Sequence, residues 1–216
     1  MNWDWSAVWD FMPRFVDGLL LTLQVLVLGS LLSFTLGLVW AAAFRAPTRW
    51  VRWPVNALTE FIRTTPLLVQ LFFLFFVLPE WGVQFSALTT GTLAIGLHYS
   101  TYTAQVYRAG IDAVPAGQWE AATALSLPAH HTWFAVILPQ ALRRVTPALG
   151  NYVIAMLKDT PILAAIGVLE MLQQGRLGGA ATFQYVEPLT VVGVAFVLIA
   201  YPASLLVRAL ERRLVH

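Results

Sequence analysis

Apolar residues in this chain fall in long unbroken blocks, not in the short alternations that strands require. Five blocks stand out, at about 18–44, 54–78, 88–108, 147–168 and 188–207. An α-helix needs roughly 20 apolar residues to cross ~30 Å of hydrocarbon, and each block is about that long. Continuous runs favour helices over a membrane barrel, whose strands alternate apolar and polar positions. The pattern predicts an all-α membrane protein of about five transmembrane helices. The second block is interrupted by Glu60, Arg63 and Pro66, and the fourth holds Lys158 and Asp159. The third is polar through HYSTYTAQ. No internal repeat, low-complexity tract or linker stands out, so residues 1–216 read as one transmembrane domain.

Composition narrows the class. The chain is 58% hydrophobic and 11% charged, with a mean hydropathy of +0.70. Soluble domains carry roughly 25% charged residues, so the bilayer is the expected solvent. Without cysteine there are no disulfides and no thiolate metal sites. The pI near 9.2 raises the question of nucleic acid, but the arginines lie in short loops, as lipid-embedded chains place them. Membrane lipid is the expected partner and nucleic acid is not. The first apolar block is too long for a signal peptide, and Asp4, Asp10 and Asp17 precede it with only Arg14.

Charge also predicts orientation. Arg45, Arg49 and Arg52 follow the first block, and Arg108, Arg143 and Arg144 lie between the third and fourth. Arg208, Arg212 and Arg213 follow the fifth. With five spans all of these share one side. The other side carries Arg14 and Arg176 among Asp4, Asp10, Asp17, Glu80, Glu170 and Glu187. Basic loops stay in the cytoplasm, so the N-terminus is expected outside and the C-terminus inside. The 109–146 loop then faces the cytoplasm. Trp3, Trp5, Trp9, Trp50, Trp53 and Trp81 fall near predicted interfaces, where an aromatic belt accounts for them.

Within that loop, Gly117-Gln118-Trp119-Glu120-Ala121-Ala122 follows Pro115, a helix-starting residue. Ala121, Ala122, Ala124 and Leu125 favour helix, and Pro128 is expected to end it. Its small residues allow close approach of a partner, and Glu120 offers a charge. An amphipathic helix on the membrane surface or a solvated loop fits the same residues.

The segment EAATALSLPAHHTWFAVILP resembles the EAA loop of binding-protein-dependent ABC importer permeases. Glu120, Ala121, Ala122, Leu138 and Pro139 match that signature, with Ser126 for its Gly and Val136 for its Ile. Ser tolerates a turn less readily than Gly where φ is positive, so Ser126 is a mild departure from the signature at that turn. The run Glu60 to Gln70, with Arg63, Thr65 and Pro66, resembles the E-x-x-R-x-T-P-x-x-x-Q segment of the polar amino-acid branch. Pro147 to Asn151, Leu157 to Thr160 and Gly167 to Glu170 resemble that branch too, in the same order and spacing. Gln105 stands where the branch carries Glu. Within the branch, the HYSTYTAQ run and KDTPIL look most like the ectoine/hydroxyectoine permease subunit.

The resemblance implies a type I ABC importer permease in a bacterial inner membrane, with a cytoplasmic coupling helix. It implies an ABC ATPase dimer, a paralogous permease or a second copy of this chain, and an extracytoplasmic solute-binding protein. ATP and Mg would be bound by the ATPase, and no cofactor by this chain. The lone lysine, Lys158, and the absence of a P-loop motif agree with that division. The chain is expected to be a transport subunit and not an enzyme. Its cargo would be a small zwitterion, ectoine or hydroxyectoine, with a polar amino acid as the alternative. An ion-coupled secondary transporter is the reading from another class.

Charges inside a bilayer face a cavity or a partner. Arg63 either lines a path with the kink expected at Thr65-Pro66 and with Gln70, or pairs with Glu60 one turn away. Lys158 and Asp159, with Thr160 beside them, belong to a gate or to the packing of a dimer axis on the path, or form internal ion pairs that fix helix register without touching cargo. His98, Thr101, Tyr102 and Gln105 touch cargo or glue helices. No metal site is expected, since His98 has no second ligand at suitable spacing and His130-His131 lie in the loop.

Overall fold

The computed structural model describes residues 3–214. α1 runs Trp5–Phe44, and α2 (Arg49–Thr64) is separated from α3 (Leu67–Phe72) by Thr65-Pro66. α3 continues through a π-helical stretch, Phe73–Val77, and a 3-10 turn, Leu78–Trp81. α4 is Ala87–Asp112 and α5 is Ala116–Ala124. α6, Ala129–His131, passes through a π-helical stretch, Thr132–Ile137, into α7, Leu138–Asp159. A 3-10 segment, Thr160–Ile166, leads to α8 (Met171–Thr182) and α9 (Val186–Leu214). Among the described residues there are no strands.

α1 and α9 are each long and apolar enough to cross a membrane alone. Two further pairs qualify only as bent spans, Arg49–Thr64 with Leu67–Trp81 at 104° and Ala129–Ile166 with Met171–Thr182 at 51°. α4 has 26 residues, or ~39 Å of helix, which is long enough although its composition is polar. The five segments expected from the sequence are therefore present, but their shapes differ. The first helix begins at Trp5, not near residue 18. The second begins at Arg49 and breaks outright, where a kink was expected. The 109–146 loop is largely helical, because α4 extends to Asp112 and α7 starts at Leu138. α8 was not anticipated, since Gln173, Gln174, Arg176 and three glycines hide its pattern. Those glycines sit against bulky neighbours. A Cβ on Gly175 would lie 2.8 Å from Val192, and one on Gly178 would lie 2.8 Å from Phe11.

α1 and α4 pack along one another more extensively than any other pair. The reason is legible in α1, where Val25, Gly29, Ser33, Gly37 and Ala41 recur every fourth residue and are buried. Small residues let two helix backbones approach in a bilayer, where no hydrophobic drive joins them. A Cβ on Gly37 would sit 2.2 Å from Thr103 Oγ1. Thr103 donates to the Ser33 carbonyl at 2.9 Å, and Trp40 Nε1 donates to Ser100 Oγ at 3.0 Å. Two of the polar residues of the third segment, Ser100 and Thr103, thus hold α1. The N-terminus of α1 is capped by Asp4, which accepts the Ser6 N–H at 2.8 Å and the Ser6 hydroxyl at 2.7 Å. The hydroxyl bond, and then the backbone bond, hold the Asp4 carboxyl below its ordinary range.

Candidate functional site

Two places bring predicted residues together: the loop carrying α5, and the region around the Thr65-Pro66 break.

At the loop, Pro115 is the residue before α5 and Ala116 starts the helix. Glu120, Ala121 and Gly117 are exposed, while Ala122 is buried at 3% exposure. The Glu-Ala-Ala triplet therefore shows two residues outward and packs one inward. The helix ends at Ala124, ahead of Pro128, which instead precedes α6. Ser126 N–H donates to the Thr123 carbonyl at 2.9 Å, and Leu127 N–H to the Ala122 carbonyl at 3.0 Å. That pair of bonds is a Schellman closure, which needs a left-handed residue just past the helix. Ser126 supplies it with φ 50. The turn therefore keeps the geometry that glycine would give, although serine stands there. Leu138, half-buried, opens α7, and Pro139 follows in its first turn.

Beneath α5 lies a small core of Ile111, Val114, Ile137 and Ala141, with Trp119, Trp133 and Val136 packed against it. Trp119 and Trp133 meet edge to face at 5.2 Å. Gln140 Nε2 donates to Gln118 Oε1 at 3.0 Å, and Arg144 donates to the Ala113 carbonyl. The loop is a built platform whose outer surface carries Glu120, Ala121 and Leu125, the last at 72% exposure.

The second place follows from Pro66. Proline has no N–H, so the carbonyl four residues earlier loses its partner. That carbonyl belongs to Ile62, and Gln70 Nε2 donates to it at 2.6 Å. The same nitrogen donates to the Thr65 carbonyl at 2.8 Å and lies 3.0 Å from His98 Nδ1. Tyr102 donates its hydroxyl to the Arg63 carbonyl at 3.3 Å. Gln70, His98 and Tyr102 thus hold the end of α2 from α3 and α4. Arg63 pairs with Glu60 at 2.5 Å.

Around His98 and Tyr102 stands an aromatic group the sequence did not assemble. His98, Tyr99, Tyr102 and Tyr152 have ring centroids 5.3 to 6.0 Å apart. Tyr99 and Tyr102 lie three apart on α4, a spacing that shares a face and was available as a signal. Tyr152 comes from α7 and had none. Tyr99 donates to Asp159 Oδ2 at 2.7 Å. Asp159 is the last residue of α7, at the start of the 3-10 segment and not in mid-helix. Adjacent Lys158 is exposed, and Thr160 is fully buried with its hydroxyl on the Leu157 carbonyl at 2.8 Å. Thr101 is also buried, donating to the His98 carbonyl at 2.7 Å within its own helix. Gln105 is half-buried on α4, outside the aromatic group.

Residues 33–216 match the family described as binding-protein-dependent transport system inner membrane component. The chain is 48% identical over 202 residues to the probable amino-acid ABC transporter permease protein of Sinorhizobium fredii, covering 94% of this chain and 87% of that relative. It is 35% identical to the glutamine transport system permease protein of Escherichia coli, over 99% of each chain. It is 32% identical to the arginine transport system permease protein of Bacillus subtilis, over 99% of this chain and 98% of that one. Among solved structures it resembles the crystal structure of an amino acid ABC transporter with histidines. The TM-score is 0.90 at 33% identity, covering 99% of this chain and 100% of the other.

Proposed function

This chain belongs to the inner membrane components of binding-protein-dependent transport systems, and from that premise we propose that it is the transmembrane subunit of an ATP-driven importer for a polar amino acid. The observation that carries the transport reading is the α5 platform. It presents Glu120 and Ala121 on a helix fixed by a Schellman turn and underpinned by its own core. Such a rigid short helix suits docking to a soluble motor. The basic loops favour the orientation in which α5 meets an ABC ATPase dimer in the cytoplasm and the N-terminus lies outside. ATP and Mg belong to that dimer. A second permease subunit, either a paralogue or another copy, completes the path, and a binding protein delivers solute from outside.

The cargo class rests on the relatives, whose names are those of amino-acid, glutamine and arginine systems. They favour the amino-acid alternative over ectoine, which none of these relatives names. The membrane site fits a zwitterion by its chemistry. Both charges of such a solute need compensation in a low dielectric. Asp159 suits the ammonium group, Arg63 suits the carboxylate, and the tyrosine faces add cation–π attraction. Thr101, already bonded within its helix, and Gln105, outside the aromatic group, are weaker contacts on this reading than Tyr99, Tyr102 and Tyr152.

The deciding experiment is uptake by proteoliposomes holding the permease, its ATPase and its binding protein, with labelled glutamine, arginine, histidine and ectoine. ATP-dependent uptake of an amino acid that ectoine does not compete supports the proposal. Uptake of ectoine alone returns the cargo to the compatible solutes. Uptake that proceeds without the ATPase, on an ion gradient, overturns the motor reading. In the same system Glu120→Arg should insert normally yet lower uptake by at least about tenfold, a loss equal to ~1.4 kcal/mol of coupling. Uptake at the wild-type rate would remove Glu120 from the docking surface.

A further inference from the structure

Arg45 closes α1 and makes two contacts that join three elements. Its guanidinium pairs with Asp112, the last residue of α4, and lies over the Trp133 ring at 5.8 Å. Trp133 sits in the π-helical stretch before α7 and meets Trp119 of α5 edge to face. A continuous chain of contacts therefore runs from Trp119 on the docking helix, through Trp133 and Arg45, to the ends of both α1 and α4. Beside it a cleft of about 600 Å³ separates the α1 end from the loop, and Arg45 and Trp133 stand in its wall. Ala41, Ala42, Pro47 and Phe134 also line it. The polar–aromatic joint thus stands at the wall of an open cleft that borders the loop. α4, anchored at this end by Asp112, carries His98, Tyr99 and Tyr102 farther along the same helix. A rigid helix transmits a displacement applied at one end to groups at the other.

We propose that Arg45 is a positioning residue that transmits movement of α5 to α1 and α4, through its paired contacts with Trp133 and Asp112. The inference rests on the importer reading above. Arg suits the role because its planar guanidinium can stack on an indole and bond a carboxylate at once. Arg108 also approaches Asp112, at 3.8 Å, but shares only that carboxylate and serves as the control.

The test is the number of solute molecules transported per ATP hydrolysed by the complete complex in proteoliposomes. Arg45→Ala should still co-purify with the ATPase and hydrolyse ATP, while the transport ratio falls by at least about tenfold, within the usual span of coupling effects. Arg108→Ala should stay within about twofold of wild type, as exposed ion pairs usually do. Arg45→Lys keeps a charge for Asp112 but removes the guanidinium that lies over the Trp133 ring. It should fall between the two, and it carries the test if Arg45→Ala does not assemble. A wild-type ratio in the assembled Arg45 variant, or an equal loss in Arg108→Ala, overturns the proposal. Absence of ATP-driven uptake by the wild-type complex would overturn the importer reading instead.

Discussion

Pro66 and Pro161 occupy nearly the same local sequence, Arg-Thr-Thr-Pro-Leu-Leu and Lys-Asp-Thr-Pro-Ile-Leu, yet the chain treats them differently. Before Pro66, Thr65 turns extended at φ −85 and ψ 133, and the helices on either side diverge by 104°. Before Pro161, Thr160 stays helical at φ −55 and ψ −33, and the chain simply tightens into 3-10 geometry. The extended conformation is what proline ordinarily imposes on the residue before it. The helical one needs an explanation, and the stripped carbonyls provide it. At Pro66 the orphan is Ile62, and an amide four residues after the proline, Gln70, reaches back to it. At Pro161 the orphan is Leu157, and the residue four after the proline is Ala165, which has no side-chain donor to offer. Leu157 is instead served by the backbone N–H and the hydroxyl of Thr160, which requires Thr160 to remain helical. The second chain turn is postponed to Gly167, at φ 83, with Glu170 capping α8 through the N–H groups of Leu172 and Gln173.

Removing Gln70 should therefore be the most damaging change. In Gln70→Leu the carbonyls of Ile62 and Thr65 lose their donor, and an unmet buried carbonyl costs ~1–3 kcal/mol. The expected loss of about 3 kcal/mol would lower the melting temperature of the purified chain by roughly 6–12 °C. Gln70→Glu, which keeps the length but offers no donor, should behave alike. A melting temperature unchanged in both would mean that the break stands without this amide.

The breaks also mark how far the sequence could be read. The five segments, the polarity of the third and the disruption at Thr65-Pro66 follow from composition and proline chemistry alone. What the pattern concealed was the destination of each polar side chain. Gln70 and Tyr102 read as candidates for cargo, and the structure bonds them to the carbonyls that Pro66 left exposed or near it. An i−4 count from each proline would have named Ile62 and Leu157 as needing donors. No count would have chosen Gln70 over water, because that choice depends on a 104° turn. The aromatic group had half a signal, Tyr99 and Tyr102 on one face of α4, while Tyr152 arrives from a helix far along the chain. α8 stayed hidden because its glycines serve close packing, which looks like a loop when no neighbour is in view.

A turn without proline gives the contrast a different sign. The α5 closure places Ser126 at φ 50, where glycine pays no steric cost. Ser126→Gly should therefore stabilise the loop by about 1 kcal/mol, the size of the left-handed strain on an L-residue. Local hydrogen exchange across Ala116–Leu127 should slow accordingly, with the rest of the chain unaffected. Faster exchange would mean that the serine hydroxyl holds the turn by a contact stronger than that strain.

The smallest effect belongs to the second proline. Thr160→Val keeps the shape of a fully buried side chain and removes only its hydroxyl. The Leu157 carbonyl retains the backbone N–H of residue 160, so no acceptor is orphaned. The cost should be about 0.5 kcal/mol, the low end for a lost hydrogen bond with its acceptor still served. That is roughly 1–2 °C in melting temperature for a chain of this size. Uptake should then stay within about twofold of wild type, since 0.4 kcal/mol corresponds to that factor. A melting temperature within that range together with a collapse of uptake would separate the two roles of the site. It would show that the Thr160 hydroxyl meets the solute as well as the helix, and that the milder break lies on the path itself.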